Sequence, residues 1–388
     1  MAQDRFGADV AQLLEMFPEV DPDVVGEILV KCQGSVEDAV NRLLQRSAGP
    51  AATTTKKRKR ATDIRTLFGA PAPDIRMKDD NATSLSAKPA ALVPWDPTKE
   101  AMRPITLTPE TLAASGLPLA LYPNFLPPNE ANDLLKEMLD DAGRWETIKW
   151  VIFEREVMSP HVSRLFKLDG VVQHSTLYTQ EDNIHTFTAS LLTVKGKVDA
   201  AVEAALQRRP RHPLEATTPW AANVALANCY RTHQQSVGAH SDALTDLGPR
   251  PTIASLTLGA ERIFRIKRLA TDAAPAQTYN LALPHNALLI MFPPFQEFYR
   301  HEVPPVRAQQ VKWHPMAKDA RINLTLRMLR PEYTTNSPHC LCGKPAVLRT
   351  VNKATKATVG EYFYICAGSV PKACTYFLWL KDRDGMSA

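Results

Sequence analysis

Two histidines and an aspartate in this chain could together bind a redox-active metal. His240 and Asp242 are two residues apart, so on an extended segment their side chains share a face. His301 follows 59 residues after Asp242, just past a predicted strand and a Pro-rich turn. Two imidazoles and one carboxylate form the facial set that binds non-haem Fe(II) and leaves coordination positions open. A His-x-Asp pair also occurs by chance on protein surfaces, so the assignment depends on the other motifs.

A second informative segment, residues 321–327, reads Arg-Ile-Asn-Leu-Thr-Leu-Arg. On a strand, Arg321, Asn323, Thr325 and Arg327 share one face, and the apolar residues lie on the other. Because an unpaired buried charge is costly, two arginines facing an interior need acidic partners. The strand therefore predicts a pocket for a small dicarboxylate or for two separate acidic groups. The alternative is an amphipathic strand whose polar face meets solvent.

Four of the six cysteines lie close together near the C-terminal end of the sequence: Cys340, Cys342, Cys366 and Cys374. In a chain without an export signal, such clustering favours metal binding over disulfides. Four thiolates can close a tetrahedral site for structural Zn²⁺, and His339 could replace one of them. The segment therefore predicts a small zinc-binding module.

Short strands must position these residues. Helical spacing at residues 129–135 gives way to strands bounded by Gly and Pro. We predict strands at Thr252–Leu258, Arg262–Lys267, Leu281–Leu283, Ala287–Phe292 and Arg321–Leu329. Many short strands within residues 100–332 predict an α+β fold dominated by β structure, a sandwich or jelly-roll barrel with helices packed outside it.

The first hundred residues predict a small helical domain and a linker, and the 388-residue length allows two to three domains. Capping residues Asp21 and Ser35 and apolar residues at helical spacing predict three short helices within residues 8–47. Residues 48–99 are rich in Ala, Pro, Thr and charge, which indicates a flexible linker. Its basic run Lys56–Arg60 is typical of a nuclear import signal or a nucleic-acid contact; a solvated charge run is the alternative.

Composition excludes several protein classes. Hydrophobic residues make up 44% and charged residues 22%, as in globular proteins, which excludes a disordered chain. No apolar run approaches the roughly 18 residues that a membrane span needs, and the first residues do not resemble a secretory signal. We expect a soluble intracellular protein without membrane contact. The net charge of +5 is modest.

The order of the motifs resembles the AlkB family of Fe(II)/2-oxoglutarate-dependent dioxygenases, which repair alkylated nucleobases. The family's Asn-x-Tyr matches Asn228 and Tyr230, and the Arg-x-Asn-x-Thr-x-Arg motif matches residues 321–327 at every fixed position. The metal-binding motif lies between them in the family's order. The resemblance is close from residue 220 to 330 and looser back to about 100, and it implies a double-stranded β-helix (jelly-roll) core over residues 100–332.

The resemblance also implies a role for each matching residue. Fe(II) would be bound by His240, Asp242 and His301. The distal carboxylate of 2-oxoglutarate would be held by Arg321, Asn323 and Tyr230, and its metal-proximal carboxylate by Arg327 and Asn228. In the implied reaction, one oxygen atom of O₂ converts 2-oxoglutarate to succinate and CO₂, and the other hydroxylates an N-methyl group. The hydroxymethyl product then releases formaldehyde and restores the base.

Two departures from the family pattern concern the substrate. DNA-repair members carry an acidic residue directly after the metal aspartate, whereas this chain continues with Ala243. The Pro-Arg element before the family's base-stacking aromatic is altered within Ser159–Phe166. These departures leave the base preference open, and Phe166 is the remaining candidate for stacking on a flipped base.

The two ends of the chain resemble two further families. Met16-Phe17-Pro18 and the pair Leu43-Leu44 resemble the CUE family, in which these elements form a ubiquitin-binding surface; they could instead form the core of the bundle. Residues 336–382 resemble the GRF-type zinc finger, with Cys-x-Cys-Gly at 340–343, and that family is associated with single-stranded nucleic acid. Its six aromatic residues could equally form a minimal core.

These resemblances together imply a nuclear enzyme that demethylates N-alkylated bases in DNA, in single strands, as part of alkylation repair. Its cofactors would be Fe(II), 2-oxoglutarate, O₂ and structural Zn²⁺, and its partners nucleic acid and ubiquitin. An RNA or protein demethylase on the same barrel is one alternative. A catalytically silent adaptor of ubiquitin and nucleic acid is the other.

Overall fold

The computed structural model describes residues 25, 28–30, 32, 39, 103–152, 155–172, 183–271, 275–351, 358, 360–366 and 374–383. These residues belong to two compact units, Met1–Ala91 and Leu92–Ala388. In the first unit, residues 28–30 are helical, and the Cys32 amide donates to the Ile28 carbonyl over 2.9 Å. Val25, Ile28 and Leu29 are buried there.

The second unit begins with five strands, one short helix and two long helices. In chain order they are β1 (Ile105–Leu107), α1 (Pro109–Ala114), β2 (Leu119–Tyr122), α2 (Pro128–Ala142), β3 (Glu146–Ile152), β4 (Arg155–Lys167), β5 (Ile184–Thr186) and α3 (Ala189–Leu206). The Thr108 side chain caps α1 and the Thr188 side chain caps α3 by accepting backbone N–H bonds of the first turn.

The remaining elements are mostly strands. They are β6 (Val224–Tyr230), β7 (Val237–His240), β8 (Ile253–Gly259), β9 (Arg262–Arg268), β10 (Gln277–Leu283), β11 (Ala287–Met291), α4 (Phe295–Phe298), β12 (Tyr299–Val303), β13 (Arg321–Arg327), α5 (Pro331–Thr334), β14 (Val347–Thr350), β15 (Tyr362–Ile365), β16 (Phe377–Trp379) and α6 (Leu380–Arg383). A 3₁₀ turn at Ala308–Gln310 precedes β13.

Two facing sheets form the barrel. The larger has eight strands in the order β2-β11-β8-β13-β6-β4-β3, with β5 paired to β4, and the smaller has the order β1-β10-β9-β12-β7. Apolar residues from both inner faces pack between them, for example Phe264 and Ile266 of β9 against the cluster that includes Leu226 and Ile253. The outer face of the large sheet packs on α2 and α3 through a second cluster that includes Leu135, Val198 and Leu324. The barrel is therefore covered by helices on one side.

The C-terminal finger packs directly on the barrel. Its strands form a separate sheet in the order β14-β15-β16. Tyr362, Tyr364 and Leu348 of this sheet share one buried cluster with Leu244 and Tyr333, which belong to the region before the finger. The two parts are thus joined by a continuous apolar core rather than by a free tether.

The predicted fold class is confirmed: the chain forms an α+β jelly roll with strands at all five predicted places. The boundaries differ by one to four residues; β10, for example, begins at Gln277 rather than at Leu281. The ubiquitin-surface residues Met16, Phe17, Pro18, Leu43 and Leu44, the predicted linker at 48–99 and the Lys56–Arg60 run lie outside the described residues. No helix of the described part of the chain is long and apolar enough to cross a membrane. The domain limits drawn from the sequence stay predictions.

Candidate metal and co-substrate site

The three predicted iron ligands converge between the two sheets. His240 ends β7, His301 lies on β12 directly opposite it, and Asp242 follows β7 by two residues. One donor atom from each residue lies within 4.8 Å of the others. Asp242 Oδ1 is 3.7 Å from Nε2 of each histidine. Because imidazole and carboxylate groups at this separation suit a divalent transition metal, the trio fits Fe(II).

The two carboxylate oxygens of Asp242 have different neighbours. Oδ2 accepts from Nε of Arg327 over 2.7 Å and forms an ion pair with its Nη2, also at 2.7 Å. The backbone N–H of Asp242 donates to Oε1 of Gln296 over 2.8 Å. Oδ1 is left facing the histidines. Burial raises the pKa of Asp242, but the adjacent charge of Arg327 opposes this effect, and the pKa lies at about 2. The carboxylate is therefore ionised and oriented before any metal arrives.

Both histidines direct Nε2 toward Oδ1 of Asp242. Nδ1 of His240 donates to the carbonyl oxygen of Gly238 over 2.8 Å, which holds the ring in this orientation. Burial lowers the pKa of His301 to about 3, with a further lowering by His240 that Asp242 opposes. A neutral imidazole is the form that binds a metal.

Arg321 lies at the other end of the same inner face. It is 1% exposed, and its Nη2 donates to Oγ1 of Thr257 and Oδ1 of Asn323. Its Nε and Nη1 have no hydrogen-bond partner, and among the described residues no carboxylate pairs with it. A buried guanidinium with two unused donors fits a carboxylate of an incoming molecule, because charge and both hydrogen bonds would then be satisfied. The site therefore suits the distal end of 2-oxoglutarate.

The other predicted co-substrate residues surround Arg321 and Arg327. Tyr230 is 2% exposed, and the Arg321 guanidinium lies 5.4 Å from its ring centroid. Asn323 is fixed by Ser255, which donates to it, and by Thr325, which accepts from it. Asn228 accepts from Ser163 on β4. Arg327, predicted for the metal-proximal carboxylate, contacts Asp242 directly, so its observed task is to orient that ligand.

Sequence reasoning missed two residues of this region, Gln296 and His161. Gln296 accepts the backbone N–H of Asp242, but a lone glutamine between Phe295 and Glu297 carries no recognisable signal. His161 stacks on Tyr230 with ring centroids 4.7 Å apart and is 4% exposed. The alternation of β4 opposite Asn228 and Tyr230 could have placed His161 on the inner face once the pairing of β4 with β6 was known.

His161 predicts a pH dependence of stability. Burial lowers its pKa from 6.5 to about 4, so between these values the unfolded chain binds a proton that the folded chain does not. The free energy of unfolding should therefore fall as the pH drops below 6.5, by about 2 kcal/mol at pH 5 for this histidine. Urea unfolding at pH 7 and pH 5 measures the change. His161→Asn should remove that part of it, and an unchanged pH dependence in the variant would contradict the assignment.

Phe166 does not lie with the metal trio, which corrects the stacking role predicted for it. On β4, Ser163 faces Asn228 inside the barrel, and Phe166 alternates to the opposite face. There it is 2% exposed and packs in the cluster beneath the long helices, with its ring centroid 6.4 Å from that of Phe187. Its contribution is to the core of the large sheet.

The four cysteines also come together. Cys340, Cys342, Cys366 and Cys374 each offer a sulfur within 4.8 Å of the other three. Four convergent thiol groups fit a tetrahedral Zn²⁺. His339 instead forms an isolated β-bridge with Pro345, and it is not among the grouped donors. A cysteine site is therefore complete without the histidine.

Comparison with known families gives three matches along the chain. Residues 118–327 match the 2OG-Fe(II) oxygenase superfamily, residues 6–47 match the CUE domain, and residues 338–383 match the GRF zinc finger. The first match spans more than half of the sequence. All three were expected from the motifs.

Curated proteins with similar sequences carry related names. Human alpha-ketoglutarate-dependent dioxygenase alkB homolog 3 is 28% identical over 240 residues, which cover 60% of this chain and 72% of that protein. Mouse DNA oxidative demethylase ALKBH2 is 29% identical over 169 residues, covering 42% of this chain and 65% of that protein. A solved structure described as OsALKBH1 is similar with a TM-score of 0.40 and 17% identity, covering 55% of this chain and 98% of that one.

Proposed function

This chain belongs to the 2OG-Fe(II) oxygenase superfamily, and from that premise we propose that it oxidatively demethylates N-alkylated bases of DNA. It is an AlkB-type dioxygenase with a CUE domain and a GRF zinc finger, and it uses Fe(II), 2-oxoglutarate, O₂ and structural zinc. The name of one relative, a DNA oxidative demethylase, supports a nucleobase substrate. The observation that carries the proposal is the convergence of His240, Asp242 and His301, with the buried Arg321 at the other end of the same inner face and two of its nitrogens without a hydrogen-bond partner.

Each end of the polar inner face would serve one function. His240, Asp242 and His301 would hold Fe(II), which with bound 2-oxoglutarate and O₂ supplies the oxidising power for an N-alkyl group. Arg321, Asn323 and Tyr230 would hold the distal carboxylate of 2-oxoglutarate. Arg327 orients Asp242 and, with Asn228, would lie beside the metal-proximal carboxylate. Because both arginines are buried, the co-substrate would be fixed in a single orientation.

The finger would contribute affinity for single-stranded DNA. Phe377 is 50% exposed, and its ring contacts the rings of Phe363 and Trp379. The ammonium group of Lys381 lies 5.4 Å from the centroid of the Trp379 ring. Exposed aromatic rings next to cations are suited to stacking with bases and pairing with phosphates. An enzyme that oxidises a base must receive it unpaired or extruded. A strand held open by the finger would meet that requirement.

The CUE domain would bring ubiquitin to the same molecule, through Met16, Phe17, Pro18, Leu43 and Leu44. Together with the Lys56–Arg60 run, it supports action in the nucleus during DNA repair. These residues lie outside the described part of the chain, so their roles rest on the sequence and on the family match.

Turnover measurements test the proposed substrate. The full-length protein with Fe(II), 2-oxoglutarate and O₂ should release formaldehyde from N-methylated single-stranded DNA faster than from duplex DNA, methylated RNA or a methylated peptide. Faster release from RNA or peptide would instead establish the alternative demethylases. His240→Ala is the control. If neither the native chain nor this variant formed succinate although the native chain bound iron, the silent adaptor would replace the enzyme.

A further inference from the structure

The zinc finger reaches the metal site through α4. The Tyr362 hydroxyl, on the central strand of the finger, donates to Oε1 of Glu297 over 2.7 Å. The adjacent Gln296 accepts the backbone N–H of Asp242 over 2.8 Å. Glu297 and Gln296 are each 1% exposed, so both bonds are shielded from water. Two hydrogen bonds on neighbouring residues thus connect the finger with the segment that carries the metal carboxylate.

Packing contacts also connect the finger with α4 and with the segment that follows Asp242. Leu244, two residues after the carboxylate, lies in the apolar cluster that contains Tyr362 and Tyr364. Gly360, in the loop before β15, has φ +85° and approaches α4 so closely that an added Cβ would lie 2.8 Å from the Phe298 ring. The backbone N–H of Arg250 also donates to Oε1 of Glu297, which gives the buried carboxylate a second partner from the barrel.

α4 also leads directly into the strand that carries His301. The helix ends at Phe298 and β12 begins at the next residue. The Phe295 ring packs against the rings of Tyr299 and His301, with centroid separations of 5.3 Å and 5.8 Å. A displacement of α4 would therefore move Asp242 through its hydrogen bond with Gln296, and His301 through its contact with Phe295.

We propose that Tyr362 is a positioning residue of the iron site, and that the finger, through Tyr362 and Glu297, holds α4 where Gln296 and Phe295 orient Asp242 and His301. The finger is in this respect a structural part of the metal centre as well as a binding module. This inference rests on the proposed roles of Asp242 and His301 as ligands.

Metal affinity without turnover tests the proposal. Mn²⁺, which imidazole and carboxylate ligands bind without oxidation chemistry, is titrated calorimetrically into the full-length, zinc-loaded protein. Tyr362→Phe should weaken Mn²⁺ binding about fivefold, since loss of a supporting hydrogen bond nearer to a ligand costs about 10- to 100-fold. Gly360→Ala, which forces the finger away from Phe298 without removing a polar group, should weaken it by a similar factor.

Tyr364→Phe is the matched control. The Tyr364 hydroxyl is as deeply buried, but it accepts from Arg383 within the finger. This variant should bind Mn²⁺ within about twofold of the native chain, even if its melting temperature drops. Equal affinities of Tyr362→Phe and Tyr364→Phe would overturn the positioning role and leave the metal site intact. If instead the native chain and Asp242→Asn bound Mn²⁺ equally, the proposed metal site would fail, and this inference with it.

Discussion

Arg321→Met should raise the 2-oxoglutarate concentration needed for half-maximal turnover by at least about 100-fold. Two charge-assisted hydrogen bonds to a carboxylate would be lost, each contributing about 1.5–3 kcal/mol. Succinate formation over a range of 2-oxoglutarate concentrations measures the effect. Arg164→Met is the matched control, because Arg164 is also buried but pairs with Asp141 on the outer side of the sheet. The two variants should differ sharply in their co-substrate requirement.

Without 2-oxoglutarate, Arg321→Met should leave the stability of the fold unchanged or increase it. Arg321 then has no acidic partner among the described residues, and burial lowers its pKa to about 10. Replacing a buried unpaired charge with an apolar side chain of similar length is expected to be neutral or to stabilise the fold by about 1–4 kcal/mol. Thermal melting with and without 2-oxoglutarate checks this. A destabilised variant with an unchanged co-substrate requirement would show that Arg321 serves the fold alone.

Asp242→Asn should abolish turnover and weaken metal binding by more than about 100-fold, because the ligand loses its charge. The amide oxygen can still accept from Arg327, so the fold should be retained. Asp246→Asn is the control, since Asp246 is a buried aspartate on the same segment that lies outside the metal trio. Metal titration and succinate formation distinguish the two variants. Retention of full turnover in Asp242→Asn would exclude the carboxylate as a ligand.

The polar strand was predictable because its information is local. Alternation alone placed Arg321, Asn323 and Arg327 on one face of β13, and the cost of burying a guanidinium then indicated an anionic partner. The convergence of His240 with His301 was predicted differently, from the order of motifs rather than from geometry. In the structure it depends on the pairing of β7 with β12, which places His301 opposite His240.

Features that depend on how distant segments pair in the fold could not be predicted from the sequence. Phe166 was assigned to the substrate from its neighbourhood in sequence, but the pairing of Ser163 with Asn228 fixes which face of β4 is inside, and Phe166 falls on the other. The contact of Arg327 with Asp242 likewise joins residues far apart in the chain. Nothing in the sequence of the finger indicates that Tyr362 reaches Glu297, because one buried hydrogen bond between domains leaves no local periodicity.

The shared apolar cluster beneath the finger has a consequence for where the chain can be cut. A fragment that ended before residue 336 would keep every predicted ligand of iron and 2-oxoglutarate, yet it would uncover Leu244 and Tyr333, which are now 4% exposed each. Newly bared apolar surface of this kind promotes self-association. A soluble truncation would therefore need polar replacements at these two positions, and fragments made without them should precipitate even though their barrel is whole.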